Sequence, residues 1–441
     1  MTTGVLTVEA ALASARERYA ADRPKSRAVF EASQRVLPGG NTRSVLHFDP
    51  FPVTMERGAG AEVWDIDGHH YVDFVGEFSA GLYGHSNPLI KAAITRALEG
   101  GTVLAAPTAI DERFASVIVE RFPSIEMLRF CNSGTEANIL AIVTAIAFTG
   151  RRKVMVFQEA YHGGVLAFSG KGSPINVPFD FVVAPFNDVA ATAALVRRHA
   201  RDLAAIIVEP ILGAAGNIPG SVEFLRALRE ETERCGALLI FDEVKTSRCG
   251  AHGVQGLLDI CPDLTTFGKY IGGGLPTGVF GGRRDIMERY NPTSRDALRH
   301  AGTFNNNVCS LAAGYVGLTQ VFTADRAEEF LHTNEAFRRQ LNENMVDQRV
   351  PVQFAGLGSM FTVHFSRQPI KAPKDIPSSS RTLAQLFHLE CLLDGVLLAS
   401  RGDVFVSLVA EKSHKAALAE VASRFADTYG DLIRRQIPAP D

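Results

Sequence analysis

The residues able to do chemistry sit at the ends of short apolar runs. "LTTFGKYIGGG" places Lys269 between an apolar stretch and glycines 272–274. Lysine is rarely buried unpaired. The position therefore suits either a solvated loop lysine or an amine beside a dry cavity, where a depressed pKa makes it a nucleophile. "AAIIVEP" ends in Glu209, and "ALLIFDEV" ends in Asp242 and Glu243, acids standing where burial begins. Such acids are also common at surface strand ends. "EAYHGG" sets Tyr161 and His162 in a glycine-flanked loop, and an aromatic ring there packs on a core or stacks on a flat ligand. "RFCNSGTEANIL" puts Asn132, Ser133, Gly134 and Thr135 between an apolar run and a helical pattern. Ser or Thr there caps the helix. Equally, free N–H groups, the positive helix end and two hydroxyls make a phosphate cradle. It is not a Walker A loop, because that loop's lysine is missing.

A phosphate site, an aromatic plate, a buried acid and an amine are together what pyridoxal 5'-phosphate needs. Lys269 is read as the amine that condenses with its aldehyde. Asp242 is read as the acid that pairs with the ring nitrogen and keeps the ring electron-poor. Burial beside a cationic ring is expected to lower the Lys269 pKa from about 10.4 toward neutrality. Lys245 is a rival amine, but it follows Asp242 too closely to reach the aldehyde while Asp242 holds the far end of the ring.

These residues need a frame. From about residue 110, short continuous apolar strands alternate with helices: "MLRFC", "KVMVF", "FVVAP", "AAIIVEP", "ALLIFDE", "LTTF" and "GVFGG". Continuous runs are expected where both sheet faces are covered, so the pattern predicts an α/β fold with a mostly parallel sheet. Chemistry in such sheets gathers beyond the carboxyl ends of the strands. Residues 1–37 read as helical up to "PGG", "DIDGHH" reads as a hairpin turn, and a long helix is expected from about residue 306. Helices at 381–394 and 413–427, with strands in "VQFAGLGSMFTVHF" and "VFVSLV", make a second α+β unit. The expected organisation is an N-terminal segment (1–75) that joins a small domain, a large cofactor-binding domain (76–325) and a small C-terminal α+β domain (326–441).

Composition narrows the function classes. The chain has 441 residues, 46% hydrophobic and 21% charged, which speaks against disorder. With 45 Lys plus Arg against 48 Asp plus Glu, the net charge is −3, and no basic tract offers a surface for nucleic acid or anionic lipid. The six cysteines form no CxxC pair and no histidine cluster has zinc spacing, so neither a disulfide framework nor a metal is expected. The opening residues lack a signal-peptide core and "ILAIVTAIAF" is too short to span a bilayer. The expectation is a soluble, reduced, cytoplasmic protein with no membrane partner.

"NSGTEA", "YHGG", "VEP", "FDEV", "DLTTFGKYIGGGLPTGVFGGR" and "GTF", in that order, resemble the class III aminotransferases, in the branch of glutamate-1-semialdehyde aminomutase. The resemblance runs from about residue 30 to about 430. "TSR", "GTFNNN", "NTRSVLHFDPFP" and "SRGDVFVSL" are more similar to aminotransferases of β-amino acids such as β-phenylalanine, whereas the aminomutases usually carry "EVMTGFR" and "SGNP". The resemblance implies the type I fold of pyridoxal-phosphate enzymes and a homodimer with active sites at the shared interface. It implies that Ser133, Gly134 and Thr135 hold the phosphate, that Tyr161 stacks on the ring and that Val244 presses on the other face. Glu209 would lie near the ring substituents, and Thr303 would reach the phosphate of the partner subunit's cofactor. Arg43 and Arg401 would bind carboxylates. Val45, Phe48 and Tyr83 would wall the side-chain pocket, or serve as core. Lys245 matches neither group, since methionine is usual there. The implied activity is ping-pong transfer of an amino group from a β-amino acid to an α-keto acid, 2-oxoglutarate or pyruvate. The alternatives are an intramolecular aminomutase and a non-catalytic cofactor-binding regulator, against which the intact lysine and aspartate count.

Overall fold

Seven strands form one sheet in the computed structural model, which describes residues 6–439. The first five residues of the stretch read as lacking a signal-peptide core, and residues 440–441, lie outside it. The sheet order is Met127–Cys131, Gly278–Gly282, Leu264–Phe267, Leu238–Asp242, Leu203–Val208, Lys153–Phe157 and Asp180–Ala184. Only Gly278–Gly282 runs antiparallel to its neighbours; the other pairings are parallel. The two most apolar runs, Leu203–Val208 and Leu238–Asp242, are buried at every residue. Helices such as Gly134–Thr149 and Val222–Cys235 pack on them, which removes the water-facing side that would have produced an alternating pattern.

The helices begin where side chains can take up orphan amides. Ser133 caps Gly134–Thr149 by accepting from Glu136 N at 3.1 Å, and the helix ends on left-handed Gly150. Ser221 caps Val222–Cys235 in the same way. These caps fix where each loop leaves the sheet, and so where the residues at the strand ends point.

A second group of strands lies outside this sheet. Val352–Leu357, Met360–Phe365 and Asp403–Phe405 form an antiparallel sheet. Met55–Ala59, Glu62–Asp65 and His70–Asp73 form another, joined by Val396–Leu397 in parallel register with Val72 and Asp73.

Four boundaries differ from the sequence expectation. The 1–37 helix is two helices, Val8–Asp22 and Pro24–Ser33, because Pro24 lacks the amide to continue the first and is suited to start the second. The long helix from about 306 is broken as well. Val308–Val316 runs into a π turn at Gly317–Val321, and Thr323 caps a new helix, Ala324–Asp347. The expected 413–427 helix extends over Lys412–Gln436, while "VFVSLV" keeps only Asp403–Phe405 as strand. Among the described residues no helix is long and apolar enough to cross a membrane, and no cluster of metal-ligating side chains occurs.

Candidate active site

Adjacent strand ends bring an acid and an amine to one cavity of about 640 Å³. Asp242, the last residue of its strand, is buried at the cavity wall. Its Oδ2 accepts from His162 Nδ1 at 2.7 Å and Asn138 Nδ2 at 2.8 Å, and its Oδ1 accepts from Val244 N at 3.1 Å. Asn138 is fixed in turn by Thr266, whose hydroxyl donates to Asn138 Oδ1 at 2.6 Å. Lys269 opens the turn after the Leu264–Phe267 strand with a left-handed backbone, φ 55°. A non-glycine residue pays strain to sit there. Removal from water, then the nearby Lys245, bring the Lys269 ammonium down to a pKa of about 8, against the opposing pull of Asp242 and Glu209.

Glu209 is buried beside the same space and accepts from Tyr161 N at 2.9 Å and Gly213 N at 3.0 Å. Burial pushes its carboxyl above the ordinary carboxylate range. Tyr161 lines the cavity and is 46% exposed. Gly134 and Thr135, at the start of the Gly134–Thr149 helix, line the cavity with Val244. A Cβ on Gly134 would meet the Val244 side chain at 2.8 Å, so only glycine lets the helix start come this close.

Arg43 and Arg401 line the cavity, and their guanidinium carbons lie 5.6 Å and 5.7 Å from the Phe78 ring centre. Each is held by a carboxylate of the chain, Arg43 by Glu77 and Arg401 by Asp403 at 2.5 Å. Val45 lines the same cavity and is exposed.

Other expected site residues are placed elsewhere. Phe48 is not at the cavity but packs edge-on against Tyr19 and His388, with ring centres 5.8 Å and 4.5 Å away. Tyr83 is buried in the main core, 6.2 Å from Tyr270, and its hydroxyl lies over the Gly317 backbone, where a Cβ would come within 2.5 Å. An apolar wall and an apolar core look the same in sequence; Tyr83 went to the core, and Phe48 packs half-buried against it. Ser133 spends its hydroxyl on capping and is not among the cavity residues. Thr303 is exposed, in a loop whose Asn305 accepts from Asn132 Nδ2 at 3.0 Å.

Pyridoxal phosphate fits this set. The amides at the start of a sixteen-residue helix adjoin the cavity, a ready site for phosphate. The Asp242 oxygens keep lone pairs beyond their protein partners, and His162 Nε2 is buried with no partner. Lys269 brings an amine that loses its proton near pH 8. Residues 46–427 match the Aminotransferase class-III family.

The chain is a class III aminotransferase.

This aminotransferase is 45% identical to the β-phenylalanine transaminase of Variovorax paradoxus, across 97% of this chain and 98% of that one. The crystal structure of a β-phenylalanine aminotransferase from that organism superposes with a TM-score of 0.95, covering 97% of this chain and 99% of that one. Glutamate-1-semialdehyde 2,1-aminomutase 2 of Bacillus velezensis is 35% identical over 85% of this chain and 91% of its own length.

The sequence reading of this aminotransferase overlooked Asn138 as a partner of Asp242. A buried asparagine inside an otherwise apolar helix was the available signal, since buried amides must find partners. It also overlooked Glu77 and Phe78. They face the cavity because Gly76, Glu77, Phe78 and Ser79 all have positive φ, from 46° to 81°. Nothing in "FVGEFSAG" announces that backbone.

Proposed function

We propose that this aminotransferase uses pyridoxal phosphate to move the amino group of a β-amino acid, such as β-phenylalanine, to an α-keto acid such as 2-oxoglutarate or pyruvate. The observation that carries the substrate reading is the pair of arginines at one cavity. With the amine fixed, the carboxylate of a β-amino acid lies one carbon farther out than that of an α-amino acid. Two guanidinium groups on separate segments, Arg43 and Arg401, meet the two positions. Each charge-assisted contact contributes roughly 1.5–3 kcal/mol. The 45% identity to a β-phenylalanine transaminase supports the same reading.

The bound cofactor supplies an aldehyde that captures amines and a ring that withdraws electrons. The chain supplies the rest. Gly134 and Thr135, with Ser133 at the cap, would hold the phosphate; Tyr161 and Val244 would cover the ring faces, and Glu209 would lie near its substituents. Asp242, tied down by His162 and Asn138, would hold a proton on the ring nitrogen. Lys269 would hold the aldehyde through its amine and, once free, would take up and return a proton at its Nζ beside the substrate. A pKa of about 8 suits that role, because the nitrogen can both take and return a proton near neutral pH. Arg43 and Arg401 orient the carboxylates.

The chain is also proposed to act as a homodimer, with Thr303 reaching the partner subunit's site. Val103, Leu104 and Phe304 are exposed apolar residues on two adjoining loops, linked where Asn306 Nδ2 donates to Ala106 O at 3.3 Å. Such a patch favours a protein contact. The six cysteines are all unpaired, which supports a reducing, cytoplasmic setting. The 1–75, 76–325 and 326–441 division stands as a proposal with them.

The deciding experiment mixes the yellow holoenzyme with β-phenylalanine in the absence of acceptor. The visible band should bleach and return when 2-oxoglutarate is added. Bleaching by α-amino acids alone would refute the β-amino-acid reading. Turnover of a substrate with no second keto acid would point to the aminomutase instead.

A further inference from the structure

The two lysines of the cavity occupy equivalent positions on neighbouring strands. Asp242 is opposite Thr266 in parallel register, and Lys245 and Lys269 each follow that pair by three residues. Both line the one cavity. Lys245 Nζ sits 5.1 Å from the Phe405 ring centre. A Cβ at Gly213 would lie 2.6 Å from Lys245 Nζ and 3.1 Å from Glu209 Oε2, so the two charged ends converge on a bare glycine. Yet among the described residues no carboxylate reaches ion-pairing distance of Lys245, because each nearby acid is engaged elsewhere. Glu209 takes two backbone amides, Asp242 takes His162 and Asn138, and Asp403 takes Arg401 and the Thr362 hydroxyl.

We propose that Lys245 is a positioning residue for Lys269: a second ammonium on the same wall that keeps the Lys269 nitrogen in its uncharged, nucleophilic form. The proposal rests on the reading of Lys269 as the cofactor-binding amine and adds what sets its reactivity. Lys269 faces Lys245, Asp242, Glu209 and Arg43; Lys245 faces Asp403, Arg401, Glu209 and Asp242. Two ammonium groups at one water-poor cavity repel, so a proton on one discourages a proton on the other. The Phe405 face and the surrounding carboxylates favour keeping that proton on Lys245. Burial lowers the pKa of Lys245 as well, and Arg401 stands to it as Arg43 stands to Lys269; the difference is that the foremost charged neighbour of Lys245 is the Asp403 carboxylate, whereas that of Lys269 is the Lys245 ammonium, so Lys269 is the one that loses its proton.

The test titrates the amine itself. The full chain, stripped of cofactor, is reductively methylated with ¹³C-formaldehyde and followed by NMR from pH 6 to 11. Lys269→Arg and Lys245→Arg identify the two signals by their loss. In Lys245→Met, which keeps length and removes charge, the Lys269 midpoint should rise by about one pH unit, leaving tenfold less free amine at neutral pH. Lys245→Arg should hold the midpoint near that of the parent. Lys245→Gln makes the same comparison with a polar side chain if the methionine variant does not fold. An unmoved Lys269 midpoint in the uncharged variants overturns the proposal, as does a Lys245 signal already neutral where Lys269 titrates. A failure of the underlying reading is seen separately: borohydride reduction of the holoenzyme would then fix the cofactor to a residue other than Lys269.

Discussion

Asn138 and Asp242 are joined by a 2.8 Å hydrogen bond that ties the start of the Gly134–Thr149 helix to the end of the Leu238–Asp242 strand. One bond thus links the helix whose amides adjoin the cavity to the acid at its wall. Asn138→Ala should cost one charge-assisted bond, roughly 1.5–3 kcal/mol, and slow the donor half-reaction about 10- to 100-fold. Asp242→Asn should cost at least as much, roughly 10²–10³-fold, because a neutral amide cannot hold the ring proton. Single-turnover bleaching rates check both, and equal rates for Asn138→Ala and the parent would remove Asn138 from the machinery.

Arg43 and Arg401 should separate donor from acceptor. Arg401→Ala is expected to raise the KM for the keto acid more than that for the β-amino acid. Arg43→Ala should do the reverse. Steady-state kinetics with each substrate varied in turn reads the split, and parallel losses in both variants would end the division of labour.

Glu77 holds Arg43, one of the two arginines proposed to bind a carboxylate. The pair is exposed on both sides, and such pairs are worth about 1 kcal/mol or less. Glu77→Gln should therefore tighten binding of an unreactive carboxylate by a few-fold at most, measured by the shift it causes in the visible band. Weaker binding would mean that Glu77 positions Arg43 rather than occupying it.

Lys269 should leave a mark on stability. Its folded pKa, about 8, lies below the ordinary value of 10.5, so between these the unfolded chain binds the proton and the folded chain does not. Stability from this group therefore rises with pH across that window. Cofactor-free protein should gain melting temperature relative to Lys269→Met as pH climbs from 8 to 10. A constant difference would show that the amine is not depressed.

His388 has the same sign at lower pH. It is buried against Phe48, its Nδ1 bonds Leu398 O at 3.0 Å, and its Nε2 has no partner. Burial lowers its pKa to about 4. Stability should be lost as pH falls from 6.5 toward 4, by roughly 2–3 kcal/mol from this residue. Denaturant midpoints at pH 7 and pH 4.5 should converge in His388→Gln.

The sheet was legible because its strands are unbroken apolar runs. Leu203–Val208 and Leu238–Asp242 cannot be mistaken for amphipathic surface segments. Lys269, Asp242 and Glu209 stood out because ionisable groups directly after such runs must be near the interior. Phe48 and Tyr83 were not separable from core by type, and only packing against His388 and Gly317 decides them. The break between Val308–Val316 and Ala324–Asp347 was hidden because the apolar spacing continues through it. The left-handed turn at 76–79 and the bond from Asn138 to Asp242 depend on tertiary contacts, which periodicity does not encode.

The parallel pairing of Val396 and Leu397 with Val72 and Asp73 has a consequence for synthesis. A strand laid down early waits at a sheet edge until Val396 and Leu397, more than three hundred residues later, have left the ribosome. The seven central strands can be assembled by then, whereas this smaller sheet closes only when that late pair arrives. A ribosome stalled anywhere before residue 396 would carry a nascent chain with an open, adhesive border.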